Sequence, residues 1–84
     1  MDTLEHEILT LLAARHPTSS LCPSEVARRL DPDRWRARMS AVREAADRLA
    51  ARGLVVITQR TFRVQATAAR GPIRLRRGPA WPRS

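Results

Sequence analysis

The sequence predicts an α+β fold that is mainly α-helical, and three patterns in its 84 residues lead to this prediction. Apolar residues recur at helical spacing in three successive segments, and residues that start or stop helices bound each segment. A tight corner joins the second and third segments, as in a helix-turn-helix. Two short β-prone runs then follow a glycine. We therefore predict a winged helix-turn-helix with three helices, a two-stranded β-hairpin wing and a basic C-terminal tail.

The first helix is predicted over residues 3–15. Its apolar residues recur at helical spacing, at Leu4, Ile8, Leu11 and Leu12. Glu5 and Glu7 lie in the first turn, where a negative charge favours the positive end of the helix dipole. His16-Pro17 ends the helix, because the residue before a proline is disfavoured in the helical region.

The second helix is predicted to begin at Cys22-Pro23. Proline is favourable at the first helical position, and Glu25 at the third position is a further start signal. Val26, Ala27 and Leu30 supply its apolar face. Asp31-Pro32-Asp33 then forms the corner that leads into the next helix.

The third helix is predicted over residues 31–52 and is the element around which the chain is organised. Its apolar stripe has spacings of 4, 3, 4 and 3, at Trp35, Met39, Val42, Ala46 and Leu49. Gly53 is the residue expected at a left-handed helix end. We interpret Trp35 as an anchor in the core rather than a platform for stacked bases.

The hairpin is predicted from Leu54–Gln59 and a returning strand, Phe62–Gln65. Because the Arg60-Thr61 turn lacks Gly and Asn, we expect a looser tip than a two-residue turn gives. We predict a winged-helix domain over residues 1–66 and a basic tail over residues 67–84. Within this tail, Ile73 and Leu75 indicate a short extended segment packed against the rest of the domain. The end after Arg77 is expected to be disordered.

The basic residues are unevenly distributed along the chain. All sixteen are Arg, and the net charge is +8. Residues 1–30 carry a net charge of −1, residues 31–53 carry +2, and residues 54–84 carry +7 with no acidic residue. Such a distribution is typical of a domain with a basic wing and arm that bind a polyanion.

Several classes of protein are not indicated by the sequence. No run approaches the ~18 apolar residues of a membrane span, and the first residues are acidic rather than signal-like, so we expect a cytoplasmic protein with no membrane partner. Cys22, His6 and His16 do not make a zinc-ligand set. There is no glycine-rich phosphate loop and no nucleophile–base set. We therefore expect no metal, no cofactor and no enzymatic activity.

Several runs together closely resemble the bacterial domain-of-unknown-function 3253 family. They are Cys22-Pro23-Ser24-Glu25-Val26-Ala27-Arg28, Trp35-Arg36, Met39, Val42-Arg43-Glu44-Ala45-Ala46, Leu49, Gln59 and Arg70-Gly71-Pro72-Ile73-Arg74-Leu75-Arg76. The resemblance covers nearly the whole chain. It implies a small bacterial winged-helix domain with no established activity.

The function that the residues favour is non-catalytic nucleic-acid binding, with double-stranded DNA favoured over RNA and a role as a transcriptional regulator. With the apolar stripe buried, the outward face of the third helix offers Arg36, Ser40 and Arg43 to base edges, and arginine can bind guanine through two hydrogen bonds. The wing and tail offer arginines to phosphates, at Arg60, Arg63, Arg70, Arg74, Arg76 and Arg77. Six such contacts would give a slope of about −5 in log affinity against log salt.

Glu44 and Asp47 on the same helix favour two other interpretations. At helical spacing Asp47 can pair with Arg43, and Glu44 can pair with Arg48. The helix would then be a solvated element carrying salt bridges, or the fold would be an interaction module that docks an acidic protein partner. No long helix is left over for a dimer interface, so a monomer and a weak homodimer both remain open.

Overall fold

The computed structural model describes residues 2–82, in which three helices precede a three-stranded antiparallel sheet. The elements are α1 (Thr3–Ala13), α2 (Pro23–Leu30), α3 (Trp35–Ala51), β1 (Val55–Gln59), β2 (Phe62–Arg63) and β3 (Arg74–Arg77). The predicted α+β, mainly helical class is confirmed. No helix among the described residues is both long enough and apolar enough to cross a membrane.

Side chains and a glycine fix the helix ends. The Asp2 carboxylate caps α1 by accepting the Glu5 N–H at 2.8 Å. The α3 helix begins at Trp35, four residues after the predicted start, because residues 31–34 form a turn in which Asp31 accepts the Arg34 N–H at 3.1 Å. Gly53 has a φ of +75° and ends α3 as predicted.

The sheet has the order β2-β1-β3, so the predicted number of two strands was wrong. The third strand comes from the segment that we predicted as a basic tail, and it pairs with β1 from Val55–Arg77 to Thr58–Arg74. This pairing buries Leu75, and Leu21 bonds to the other edge of β3 through N–O distances of 2.7 and 2.8 Å.

The β1–β2 hairpin closes through Arg60-Thr61 alone, since Gln59 pairs directly with Phe62. The expected looser tip was therefore wrong. Arg60 adopts a φ of +58°, which supplies the left-handed turn conformation that glycine or asparagine more often provides.

One core joins the helices to the inner side of the sheet. The predicted stripe of α3 is buried at Val42, Ala46 and Leu49, while Trp35 and Met39 pack partly buried at its edge. The other members of this hydrophobic core are Ile8, Leu12, Leu21, Val26, Ala27, Ala45, Val55, Ile57, Ala66, Ile73 and Leu75. The core therefore includes residues from both ends of the chain.

Residues 78–82 run back across the end of α3. The Gly78 N–H donates to the Leu54 carbonyl and the Ala80 N–H donates to the Gly53 carbonyl, each at 2.9 Å. A Cβ at Gly78 would overlap the Gly53 carbonyl oxygen, so this close approach requires glycine. The predicted disorder at the chain end stays a prediction for residues 83–84, which lie outside the described part.

Candidate nucleic-acid interface

Arg43, predicted to face base edges, lies against the segment that precedes β3. Its Nη1 donates to the carbonyls of Ala66 and Ala69 at 2.9 Å each, and its Nη2 donates to the Gly71 carbonyl at 2.8 Å. These bonds use three of the five N–H donors of the guanidinium. The Arg43 side chain thus holds residues 66–71 against the middle of α3.

Asp47, one turn further along α3, binds the same segment. It accepts the backbone N–H groups of Ala66 and Thr67 at 2.6 and 3.0 Å, and the Thr67 hydroxyl at 2.7 Å. The predicted pair between Asp47 and Arg43 was therefore wrong. Both side chains have long-range partners in the segment that precedes β3.

Arg48 does not make the predicted pair with Glu44. Its Nε donates to Glu5 at 2.9 Å, and its Nη2 donates to Asp2. Arg52, one turn further on, also donates to Glu5, at 3.3 Å. The hydrogen bond from the Glu5 N–H, with support from Arg48, lowers the pKa of the Asp2 carboxyl. The bond to Glu5 raises the pKa of Arg48. These contacts fasten the start of α1 to the end of α3.

The exposed stripe left on α3 is Arg36, Ser40 and Glu44, at successive spacings of four residues. Arg36 and Ser40 lie where the sequence places them, on the outward side of the N-terminal half. Glu44 remains exposed beside them, so this stripe changes from positive to negative along the helix.

Trp35 forms a stack with two arginines at the α2–α3 corner. The guanidinium carbons of Arg28 and Arg36 each lie 4.3 Å from the centroid of its ring. Such contacts orient a guanidinium while leaving its N–H donors open. The corner also exposes Arg34. Arg28 was not among the predicted site residues, and its position in the last turn of α2, next to the corner, was the available signal.

Most carboxylates are neutralised by arginines within the helical part. Besides the pairs of Arg48 and Arg52, the ion pairs are Arg15–Glu25, Arg29–Glu7 and Arg38–Asp31. Burial raises the pKa of Glu25, but the Cys22 N–H and Arg15 outweigh burial and lower it overall. The positive charge in excess therefore lies on arginines elsewhere.

Three of the predicted phosphate-binding arginines stabilise the fold. Arg74 donates to the Ser20 hydroxyl at 2.8 Å, and Arg76 donates to the Thr18 carbonyl at 3.0 Å. Arg77 donates to the last two carbonyls of α1 and, at 2.9 Å, to the Arg15 carbonyl just after the helix. Its guanidinium lies 4.9 Å from the Trp81 ring centroid. A cation there also favours the negative end of the helix dipole.

The other three, Arg60, Arg63 and Arg70, are exposed at the hairpin end of the sheet. Among residues 2–82, none of the three guanidinium groups has a carboxylate or hydrogen-bond partner. Phe62 lies between them in sequence and exposes 71% of its surface. The sequence analysis did not single out this phenylalanine, although its position directly after the turn was a signal.

No group of three or more His, Cys, Asp or Glu residues suited to a metal ion occurs in the described part of the chain. Cys22 is half-buried at the start of α2, with its Sγ 3.1 Å from the Ser24 hydroxyl.

Comparison with known families gives one assignment. The sequence model of DUF3253, a protein family of unknown function, matches residues 1–78. The chain therefore belongs to this family. No curated protein matches the sequence.

Proposed function

We propose that this DUF3253 protein is a non-catalytic nucleic-acid-binding domain of the winged helix-turn-helix class, with double-stranded DNA as its ligand. In this proposal α2 and α3 form the helix-turn-helix, and the β1–β2 hairpin is the wing. The element order of three helices followed by a hairpin supports the comparison with that class.

The observation that carries the proposal is the position of the guanidinium groups that have no partner within the fold. Within the described residues, six guanidinium groups have neither an ion pair nor a side-chain hydrogen bond, and they form two groups. One group is at the α2–α3 corner, with Arg28, Arg34 and Arg36, and the other is at the hairpin end, with Arg60, Arg63 and Arg70. Duplex DNA carries a regular array of phosphates that both groups can neutralise.

The two groups would have different tasks. Arg36 and Ser40 project from the first half of α3, which is the part of a recognition helix that meets base edges in the major groove. The hairpin arginines would neutralise phosphates or enter the minor groove, and contacts of this kind fix position without selecting a sequence. We therefore expect sequence preference to depend on Arg36, and general affinity to depend on the hairpin end.

The test is a salt titration of binding to a random-sequence DNA duplex, followed by fluorescence anisotropy. The triple variant Arg60→Gln, Arg63→Gln, Arg70→Gln should flatten the slope of log affinity against log salt by about 0.9 for each phosphate that is no longer neutralised. The matched control, Arg29→Gln, Arg38→Gln, Arg52→Gln, removes the same charge from arginines already paired with carboxylates, and should change the slope much less. Equal flattening would contradict the assignment of the hairpin end, and absence of binding at low salt would overturn the function.

The exposed Glu44 counts against insertion of α3 into a DNA groove and so leaves a second candidate, a module that docks an acidic protein partner through the same fold. A carboxylate in the exposed stripe of α3 would repel the phosphates of a groove into which the helix inserts. If α3 enters the groove, Glu44→Gln should strengthen duplex binding. If duplex DNA does not bind and one protein is retained after nuclease treatment, the second candidate is favoured.

A further inference from the structure

An open cleft of about 840 Å³ lies at the hairpin end of the sheet. One wall is the end of the hairpin, with Gln59, Arg60 and Phe62. The other is the start of β3 and the segment leading into it, with Arg70, Pro72 and Arg74. Its volume is in the range of small-molecule sites, which is about 300–1,000 Å³.

The second wall is held in place without any ligand. The carbonyls of residues 69, 70 and 71 are each bound by a side chain, since Arg43 binds the first and third and the Gln59 amide binds the second. Gln59 therefore ties the two walls of the cleft together. This arrangement fixes the backbone from which the Arg70 side chain projects.

The chemistry of the lining selects for an anionic ligand with a flat ring. Phe62 is the large hydrophobic residue most exposed in the described chain, and Arg60, Arg70 and Arg74 line the same cleft. Arg74 already donates to Ser20, so Arg60 and Arg70 are the guanidinium groups open to a ligand. No carboxylate is among the described lining residues. A bare phosphate ion would leave the aromatic face unused, and an apolar ligand would leave the guanidinium groups unpaired. A nucleotide satisfies both requirements.

We propose that this cleft binds an unpaired nucleotide of a single DNA strand, with the base stacked on Phe62 and the adjacent phosphates on Arg60 and Arg70. In a duplex the faces of a base are covered by its neighbours, so a base reaches an aromatic side chain only when it leaves the stack. This inference rests on the proposed function and adds to it, because the protein would then prefer a duplex that continues into a single strand.

The experiment compares a blunt duplex with the same duplex carrying a six-nucleotide thymidine overhang, both titrated with the full chain. The overhang should strengthen binding about tenfold, which is the order of one base–aromatic stack. Phe62→Leu should abolish this difference, so that the variant binds the two DNAs with equal affinity. Phe62→Trp should retain it, because the indole also stacks with bases. Circular dichroism of both variants should match the wild type, since the Phe62 side chain is exposed.

The outcomes separate the two proposals. Equal binding of the two DNAs by the wild type, or a preference that survives in Phe62→Leu, would overturn the assignment of the cleft. If the protein does not bind the blunt duplex but binds the overhang in a way that depends on Phe62, only the proposal that the ligand is double-stranded DNA would be overturned. Displacement of the overhang by micromolar thymidine monophosphate would reassign the cleft to a free nucleotide and overturn the strand-binding proposal.

Discussion

The contact between Arg43 and the segment before β3 leads to a sharp prediction about stability. Arg43→Ala removes three hydrogen bonds from a charged donor to the carbonyls of residues 66, 69 and 71. The segment connects β2 to β3, so its release also weakens the attachment of β3. We expect the variant to fold but to unfold at a much lower denaturant concentration.

The magnitude follows from the donors and their surroundings. A hydrogen bond to a charged group contributes about 1.5–3 kcal/mol, so simple addition of three such bonds would give an upper limit of three times that amount. Because Arg43 is only half-buried and the released carbonyls regain water, we take about 2–3 kcal/mol for the set. A chain of 84 residues has a total stability of about 4–12 kcal/mol. The loss corresponds to a fall of roughly 10–20 °C in Tm.

The assay is urea unfolding followed by circular dichroism, with thermal scans beside it. Arg36→Ala is the matched control, because it removes an exposed arginine from the same helix, one that stacks on the Trp35 ring. Arg43→Lys keeps the charge but lacks the planar fork of donors, so it should recover only part of the loss. A loss for Arg43→Ala no larger than that for Arg36→Ala would refute the reasoning.

Three further predictions concern other parts of the structure. Asp47→Ala leaves the N–H groups of residues 66 and 67 without their acceptor and should cost about 1–3 kcal/mol in urea unfolding, with Asp47→Asn less affected. Leu75→Ala should cost about 2–5 kcal/mol in the same assay, and a negligible loss would contradict the burial of β3 in the core. The carboxylate of Glu25 has a lowered pKa in the folded chain, so its contribution is present above the ordinary pKa near 4.5 and is lost as the pH falls through the folded value. Glu25→Gln should therefore reduce the difference between urea midpoints at pH 7 and pH 3, and an unchanged difference would show that this carboxyl is not involved.

The parts of the fold that the sequence predicts correctly are those fixed by local interactions. The α3 stripe buries Val42, Ala46 and Leu49 as its spacing requires, and Gly53 ends the helix in the left-handed conformation. At the start of α2, the Glu25 carboxylate accepts the Cys22 N–H at 2.8 Å, as the favourable position of this glutamate predicts. Each of these interactions joins residues close together in the chain, so the sequence pattern contains both partners.

The third strand could be predicted only in part. The alternation of Ile73 and Leu75 with arginines indicates an extended segment with one apolar side, and both residues are buried. The choice of β1 as the pairing partner depends on the β1 edge left open by the hairpin. Backbone groups make this pairing, and they have no signature in the side-chain sequence.

The partners of Arg43 and Asp47 could not be predicted for a related reason. A helical pair at a spacing of four residues contributes only about 0.2–0.5 kcal/mol, so stronger long-range contacts readily displace it. Both side chains instead bind backbone groups about twenty or more residues away. Backbone carbonyls and N–H groups occur at nearly every position, so the sequence does not indicate which of them an arginine or aspartate will bind.

Long-range contacts to backbone and hydroxyl groups also change how the positive charge of the C-terminal third is interpreted. The sequence predicts phosphate contacts for six of its seven arginines, which would give a salt slope of about −5. Arg74, Arg76 and Arg77 each donate to Ser20, Thr18 or the end of α1, and none of these partners carries a charge that would cancel theirs. They therefore contribute to the positive potential that attracts DNA, but their geometry is fixed by the fold. If only the three hairpin arginines contact phosphates, that region should contribute a slope of about −2.7, at −0.9 per phosphate. A measured contribution near −5 would mean that the arginines of β3 release their carbonyl and hydroxyl partners when DNA binds.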